Sequence, residues 1–229
     1  MDPFAIARPP ADRPLLGRTI LVVEDSLMAC EAMRLLGLRS GARMRRAGGL
    51  AQAHRHLRVW RPSAVIVDIG LPDGSGADLI ADLRAEGRAE TAVIGTSGDP
   101  GAMEAAMEAG ADGFMAKPVS SLAVFQESIL AHLPPEARPI GPRALPNDMI
   151  EIDADALVDD LAHVADLIEG RDDVPVAYLS QFLASVARDA GDSDLAGAAD
   201  LLGRPDGPPL SDRLAQLRGL VEARLVPAA

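Results

Sequence analysis

Four apolar runs each end in residues that can do chemistry. Thr19–Val23 ends in Glu24-Asp25, Ala64–Val67 in Asp68, Ala92–Gly95 in Thr96-Ser97, and Gly113–Ala116 in Lys117-Pro118. In a parallel sheet such ends converge on one edge, where functional groups gather. Three carboxylates brought together repel one another, and each resists ionising. A hard divalent cation with oxygen ligands relieves that, and Mg²⁺ fits. The same cation shields an approaching phosphoryl group and neutralises the charge that builds up during its transfer. A hydroxyl and an ammonium can then hold the remaining phosphoryl oxygens. The ammonium stands out by composition, because Lys117 is the only lysine in the chain.

These ends need a scaffold. The runs are short and continuously apolar, and helix-like segments follow them: Ser26 to Leu38, Ala77 to Glu86, Ala102 to Ala109 and Ser121 to Leu133. Buried strands that alternate with helices imply a doubly wound α/β layer structure. Arg43–Ala47 supplies a fifth strand, and its arginines suit an exposed edge. Prolines 134, 135, 139, 142 and 146 then mark an extended, semi-rigid linker without helix or sheet. Beyond it only helical periodicity remains, over Asp153–Glu169, Val176–Arg188, Leu195–Leu202 and Leu210–Leu225. We therefore expect a flexible arm over 1–17, an α/β domain over 18–133, a linker over 134–147 and a small all-α bundle over 148–229.

Charge narrows the partners. The chain carries a net charge of −12. From Ile140 onward 7 arginines face 17 acids, so −10 of it belongs to the helical part. Nucleic acid and anionic membranes are disfavoured as partners, because both demand a basic face. One cysteine, Cys30, excludes an internal disulfide and reads as core packing. No apolar run is long enough to span a bilayer, and the expected location is the cytoplasm.

The segments ILVVEDS, AVIVDIGLPDGSG, VIGTSG and EAGADGFMAKP occur in one order over Thr19 to Leu133. By them this region resembles a response-regulator receiver domain of two-component signalling. The resemblance implies a flavodoxin-like fold, with Asp68 as phosphoacceptor and Mg²⁺ as cofactor. It makes Asp25 a direct metal ligand, Glu24 a ligand mainly through water, and the Gly70 carbonyl a further ligand. Lys117 bridges the phosphate and an acid, and the Lys117–Pro118 bond is cis. Phe114 is the aromatic that changes rotamer on activation. Ser97 aligns with the phosphate-sensing hydroxyl. Because the stretch from Ser97 to Gly110 is shorter than in the family, Thr96 stays beside it as a candidate. The implied phosphodonor is a histidine kinase or a phosphotransfer protein, and the chain is expected to be a phosphoacceptor that promotes its own phosphorylation and dephosphorylation, not an enzyme acting on others.

The helical part resembles no family. It is expected to bind a protein or a second copy of the chain, and to respond to the face made by the last receiver helices and strand. Two alternatives stand beside this: an atypical DNA-binding output, and a degenerate phosphotransfer bundle carrying His163. The latter lacks a lysine three residues on, where Asp166 stands.

Overall fold

The computed structural model describes residues 8–141, 143–150, 154–170 and 175–225. Five parallel strands form one sheet in the order β2-β1-β3-β6-β7. They are β1 (Thr19–Val23), β2 (Arg43–Ala47), β3 (Ala64–Asp68), β6 (Ala92–Ser97) and β7 (Gly113–Ala116). The arginine-rich β2 lies at one edge, as its composition predicts. Helices α1 (Leu27–Ser40), α2 (Leu50–Val59), α3 (Gly76–Ala85) and α4 (Ala102–Glu108) connect the strands, and α5 (Leu122–Leu130) follows the last one. The two faces bury separate cores. One gathers Ile20, Ile66, Ile94 and Met115 with α1 and α5; the other gathers Leu21, Val65, Val67 and Val93 with α2 and α3. Alternate residues of each strand thus serve opposite cores, which is why the strand runs are continuously apolar.

A two-stranded hairpin follows β3: β4 (Gly70–Leu71) and β5 (Gly74–Ser75). Its turn has a structural task. The Asp73 carboxylate accepts from the Leu50 and Ala51 amides and so caps α2, whose own N-cap is Gly49. Gly76 opens α3 so close to β3 that a Cβ there would lie 1.9 Å from the Asp68 carbonyl oxygen.

The proline-rich segment is fastened down, contrary to the expectation of a linker without helix or sheet. Pro135–Ala137 forms a 3₁₀ turn, where a proline at the first position forfeits no hydrogen bond. Ala137 and Ile150 are buried in the core shared with α1 and α5. Met149 pairs with Ser121, and Arg143 binds Gln126 and Glu127. The expected N-terminal arm also ends early. Residues 1–7 lie outside the described residues, but Leu15 is fully buried in the same core and donates its amide to Ser40.

Four helices follow: α6 (Ala154–Glu169), α7 (Val176–Asp189), α8 (Ser193–Leu202) and α9 (Leu210–Leu225). Their apolar stripes meet in a third core around Leu161, Val164, Phe182, Leu183, Leu217 and Val221. The bundle does not stand apart. Its α6 and α7 pack against α1, and α7 also packs against β4. It therefore docks at the carboxyl edge of the sheet.

Candidate phosphoacceptor site

The strand ends do converge. One carboxylate oxygen from each of Glu24, Asp25 and Asp68 lies within 4.8 Å of the others. Glu24 is fully buried, and Asp68 is only 6% exposed. The Lys117 Nζ sits 2.7 Å from Glu24 Oε2 and 2.7 Å from Asp68 Oδ2. The Gly70 amide donates to Asp68 Oδ1 at 3.1 Å. The Lys117–Pro118 bond is cis.

Burial dominates the electrostatics. It raises Glu24 well above the ordinary carboxylate range, with Lys117 opposing and Asp68 and Asp25 adding to the rise. Burial likewise raises Asp25, and a hydrogen bond from Tyr178 opposes it. For Lys117 burial acts to discharge the ammonium, but Asp68 and Glu24 outweigh it and hold the group above its usual value. Asp25 Oδ1 is buried with no hydrogen-bond partner among the described residues. An orphaned anionic oxygen beside two further carboxylates suits a hard divalent cation.

The two candidate hydroxyls separate clearly. Thr96 Oγ1 donates to the Met115 carbonyl at 2.8 Å and serves the β6–β7 pair. Ser97 Oγ, at the last residue of β6, accepts from the Asp99 amide in the loop that enters α4. Phe114 is half-buried against the core of α2 and α3, close to Gly95.

Residues from the helical part complete the rim, and the sequence reading missed all of them. The Tyr178 hydroxyl donates to Asp25 Oδ2 at 2.6 Å. Gln181 packs where a side chain at Gly70 would lie, Ser185 lies in van der Waals range of the same position at Gly98, and Arg188 donates to the Gly98 carbonyl. Positions 178, 181, 185 and 188 share one face of α7. From α6, Asp160 accepts from Ser26 Oγ and from the Leu27 and Met28 amides at 2.8–3.0 Å. Those amides belong to the first turn of α1, which has no acid of its own. A carboxylate there satisfies orphan donors and complements the helix dipole. Only one signal could have pointed here: Tyr178 is the sole tyrosine of the chain. His163 is exposed, edge-on to Phe182 at 5.8 Å between centroids.

Comparison with known proteins places the first part of the chain in a family. Residues 20–128 match the response regulator receiver domain family. The KDP operon transcriptional regulatory protein KdpE of Escherichia coli is 31% identical over 99 residues, 43% of this chain and 44% of that protein. A transcriptional regulatory protein KdpE of Mycobacterium tuberculosis is 33% identical over the same extent. The chain thus spans under half the length of the curated relatives it matches. Among solved structures, a putative response regulator from Chloroflexus aurantiacus is 29% identical over 50% of this chain and 98% of its own, with a TM-score of 0.44. A receiver domain of a Pseudomonas aeruginosa sensor histidine kinase, with a magnesium ion coordinated in its active-site cleft, is 26% identical over 51% of this chain and 97% of its own, with a TM-score of 0.46. The chain therefore carries a response regulator receiver domain over residues 20–128, followed by helices that lie outside the matched region.

Proposed function

We propose that the chain is a two-component response regulator in which Asp68 accepts a phosphoryl group from a histidine kinase or phosphotransfer protein. The observation that carries this reading is the cluster of Glu24, Asp25 and Asp68 with Lys117 seated between two of its acids. An Asp68 carboxylate oxygen attacks phosphorus. The new P–O bond forms as the bond to the donor breaks, and the electron pair leaves with the donor. Asp25 Oδ1, Asp68 and the Gly70 carbonyl are the groups that would hold Mg²⁺, with Glu24 acting mainly through water. Bound there, the cation supplies charge neutralisation to the transfer. Lys117 moves its charge from the Asp68 carboxylate to a phosphoryl oxygen, and the Ser97 hydroxyl donates to another. Phe114 responds to that inward pull. The chain is thus a self-phosphorylating acceptor, not an enzyme acting on another substrate.

The output is a protein-interaction or dimerisation role for the helical part. Its charge of −10 suits basic protein surfaces and opposes phosphate-rich ones. Both curated relatives named above are called transcriptional regulatory proteins, which keeps a DNA-binding output as the alternative, but the family match ends at residue 128, before these helices. Among the described residues no helix is long and apolar enough to cross a membrane. The test is incubation of the full chain with acetyl phosphate and Mg²⁺. Intact mass should show the gain of one phosphoryl group, lost on addition of EDTA. A gain unaffected by EDTA would overturn the reading.

A further inference from the structure

The helical part covers the acceptor site. Any phosphodonor protein must reach Asp68 from the carboxyl edge of the sheet, across the loops after β1, β3 and β6. One stripe of α7 already sits on all three: Tyr178 on Asp25, Gln181 on Gly70, and Ser185 with Arg188 on Gly98. Asp160 pins α6 to the start of α1 beside them. A cavity of about 500 Å³ remains between the two parts, lined by Asp25, Asp160, His163 and Tyr178. It admits a hydrated ion but not a folded donor.

We propose that α6 and α7 form an intramolecular cover that competes with the phosphodonor protein for the acceptor edge and is expelled when Asp68 carries a phosphoryl group. The inference rests on the phosphoacceptor reading above. Two features drive the expulsion. Asp68 is 6% exposed, and α7 residues touch Asp25, Gly70 and Gly98 around it, which leaves little room for three added oxygens. And α7 brings Asp189 into the same surroundings, its carboxylate sensing both Asp68 and Lys117 through space, with Oδ1 buried and without a hydrogen-bond partner among the described residues. A new dianion at Asp68 repels that carboxylate. By reciprocity, whatever the phosphoryl group does to the cover, the cover does to binding at Asp68.

The Leu27 and Met28 amides report the cover directly. They are first-turn donors whose described acceptor is Asp160, so their protection from hydrogen exchange depends on docking. Exchange should be followed in the full chain by NMR, with Mg²⁺ alone and with Mg²⁺ plus beryllofluoride, a phosphoryl mimic whose binding is read independently by fluorine NMR. Beryllofluoride should speed exchange of these two amides by about tenfold or more, the lower range of ordinary coupling between sites. The variant Tyr178→Phe with Arg188→Ala, which leaves Asp160 intact, should show the faster exchange without beryllofluoride and bind the mimic more tightly. Bound beryllofluoride with both amides still protected would overturn the cover. Failure of beryllofluoride to bind either the wild type or the variant would overturn the phosphoacceptor reading instead.

Discussion

The Lys117 ammonium lies 2.7 Å from Asp68 Oδ2, with both side chains nearly out of contact with water. It meets Glu24 at the same distance. Removing one partner of such a buried set strands the others. Lys117→Ala should therefore lower stability by about 3 kcal/mol in EDTA. Millimolar Mg²⁺ should restore more stability in this variant than in the wild type, because the cation takes over the lost charge. Asp25→Ala should behave oppositely, weakening Mg²⁺ binding by loss of a ligand oxygen. Denaturant unfolding with and without Mg²⁺ separates the two. Equal loss of Mg²⁺ affinity in both variants would mean the geometry is misassigned.

Thr96 and Ser97 are neighbours with different tasks. Thr96→Val should cost about 1 kcal/mol, the worth of its hydrogen bond to the Met115 carbonyl. It should leave the lifetime of a phosphorylated Asp68 unchanged. Ser97→Ala should alter that lifetime and the response of the cover to beryllofluoride, with little change in stability. Decay of the phosphorylated species, followed by intact mass, distinguishes them.

Much of this arrangement is legible in the sequence because each element of the site is local. Asp68 and Lys117 sit where their own strands end, and a parallel sheet does the rest. The docking of α6 and α7 is not legible for a physical reason. Tyr178, Gln181, Ser185 and Arg188 form a polar stripe opposite an apolar one, the pattern of a helix facing water. Here the stripe meets the polar rim of the receiver instead. Asp160 is one acid among seventeen in its region, and nothing local ties it to Ser26, 134 residues away. The proline segment misleads likewise: proline density predicts extension, but Ala137 is apolar and finds the receiver core, as does Ile150 just beyond the segment.

Gly76 tests the packing of the acceptor loop. A methyl group 1.9 Å from the Asp68 carbonyl oxygen cannot be accommodated without moving the backbone. Gly76→Ala should destabilise by about 1 to 3 kcal/mol, the usual cost of overpacking, or more. It should also broaden the NMR signals of the residues around Asp68. Thermal unfolding unchanged within a degree or so would contradict the close approach.

Asp189 should show a pH-dependent effect. Burial, the largest cause, raises its carboxyl from 3.8 to about 6, with Lys117 opposing and Asp68 adding to the rise. Below pH 3.8 the group is neutral folded or unfolded and costs nothing. Between these values the folded state holds a proton that the unfolded state releases, so the wild type loses stability as pH rises through the window. Asp189→Asn removes that cost. It should stabilise the chain by about 3 kcal/mol at pH 7.5 and by well under ~1 kcal/mol at pH 4. Urea unfolding at both values measures this. A gain of equal size at both would exclude ionisation as its cause.

In the proposed reading Asp68 itself carries the phosphoryl group. Borohydride cleaves an aspartyl phosphate and leaves homoserine in its place, so the modified position can be read by peptide mass spectrometry. The full chain treated with acetyl phosphate and Mg²⁺, then with borohydride, should contain homoserine at position 68 and at no other aspartate, and Asp68→Asn should contain none. Homoserine at Asp25 or elsewhere, or a phosphoryl group that survives in Asp68→Asn, would contradict the account.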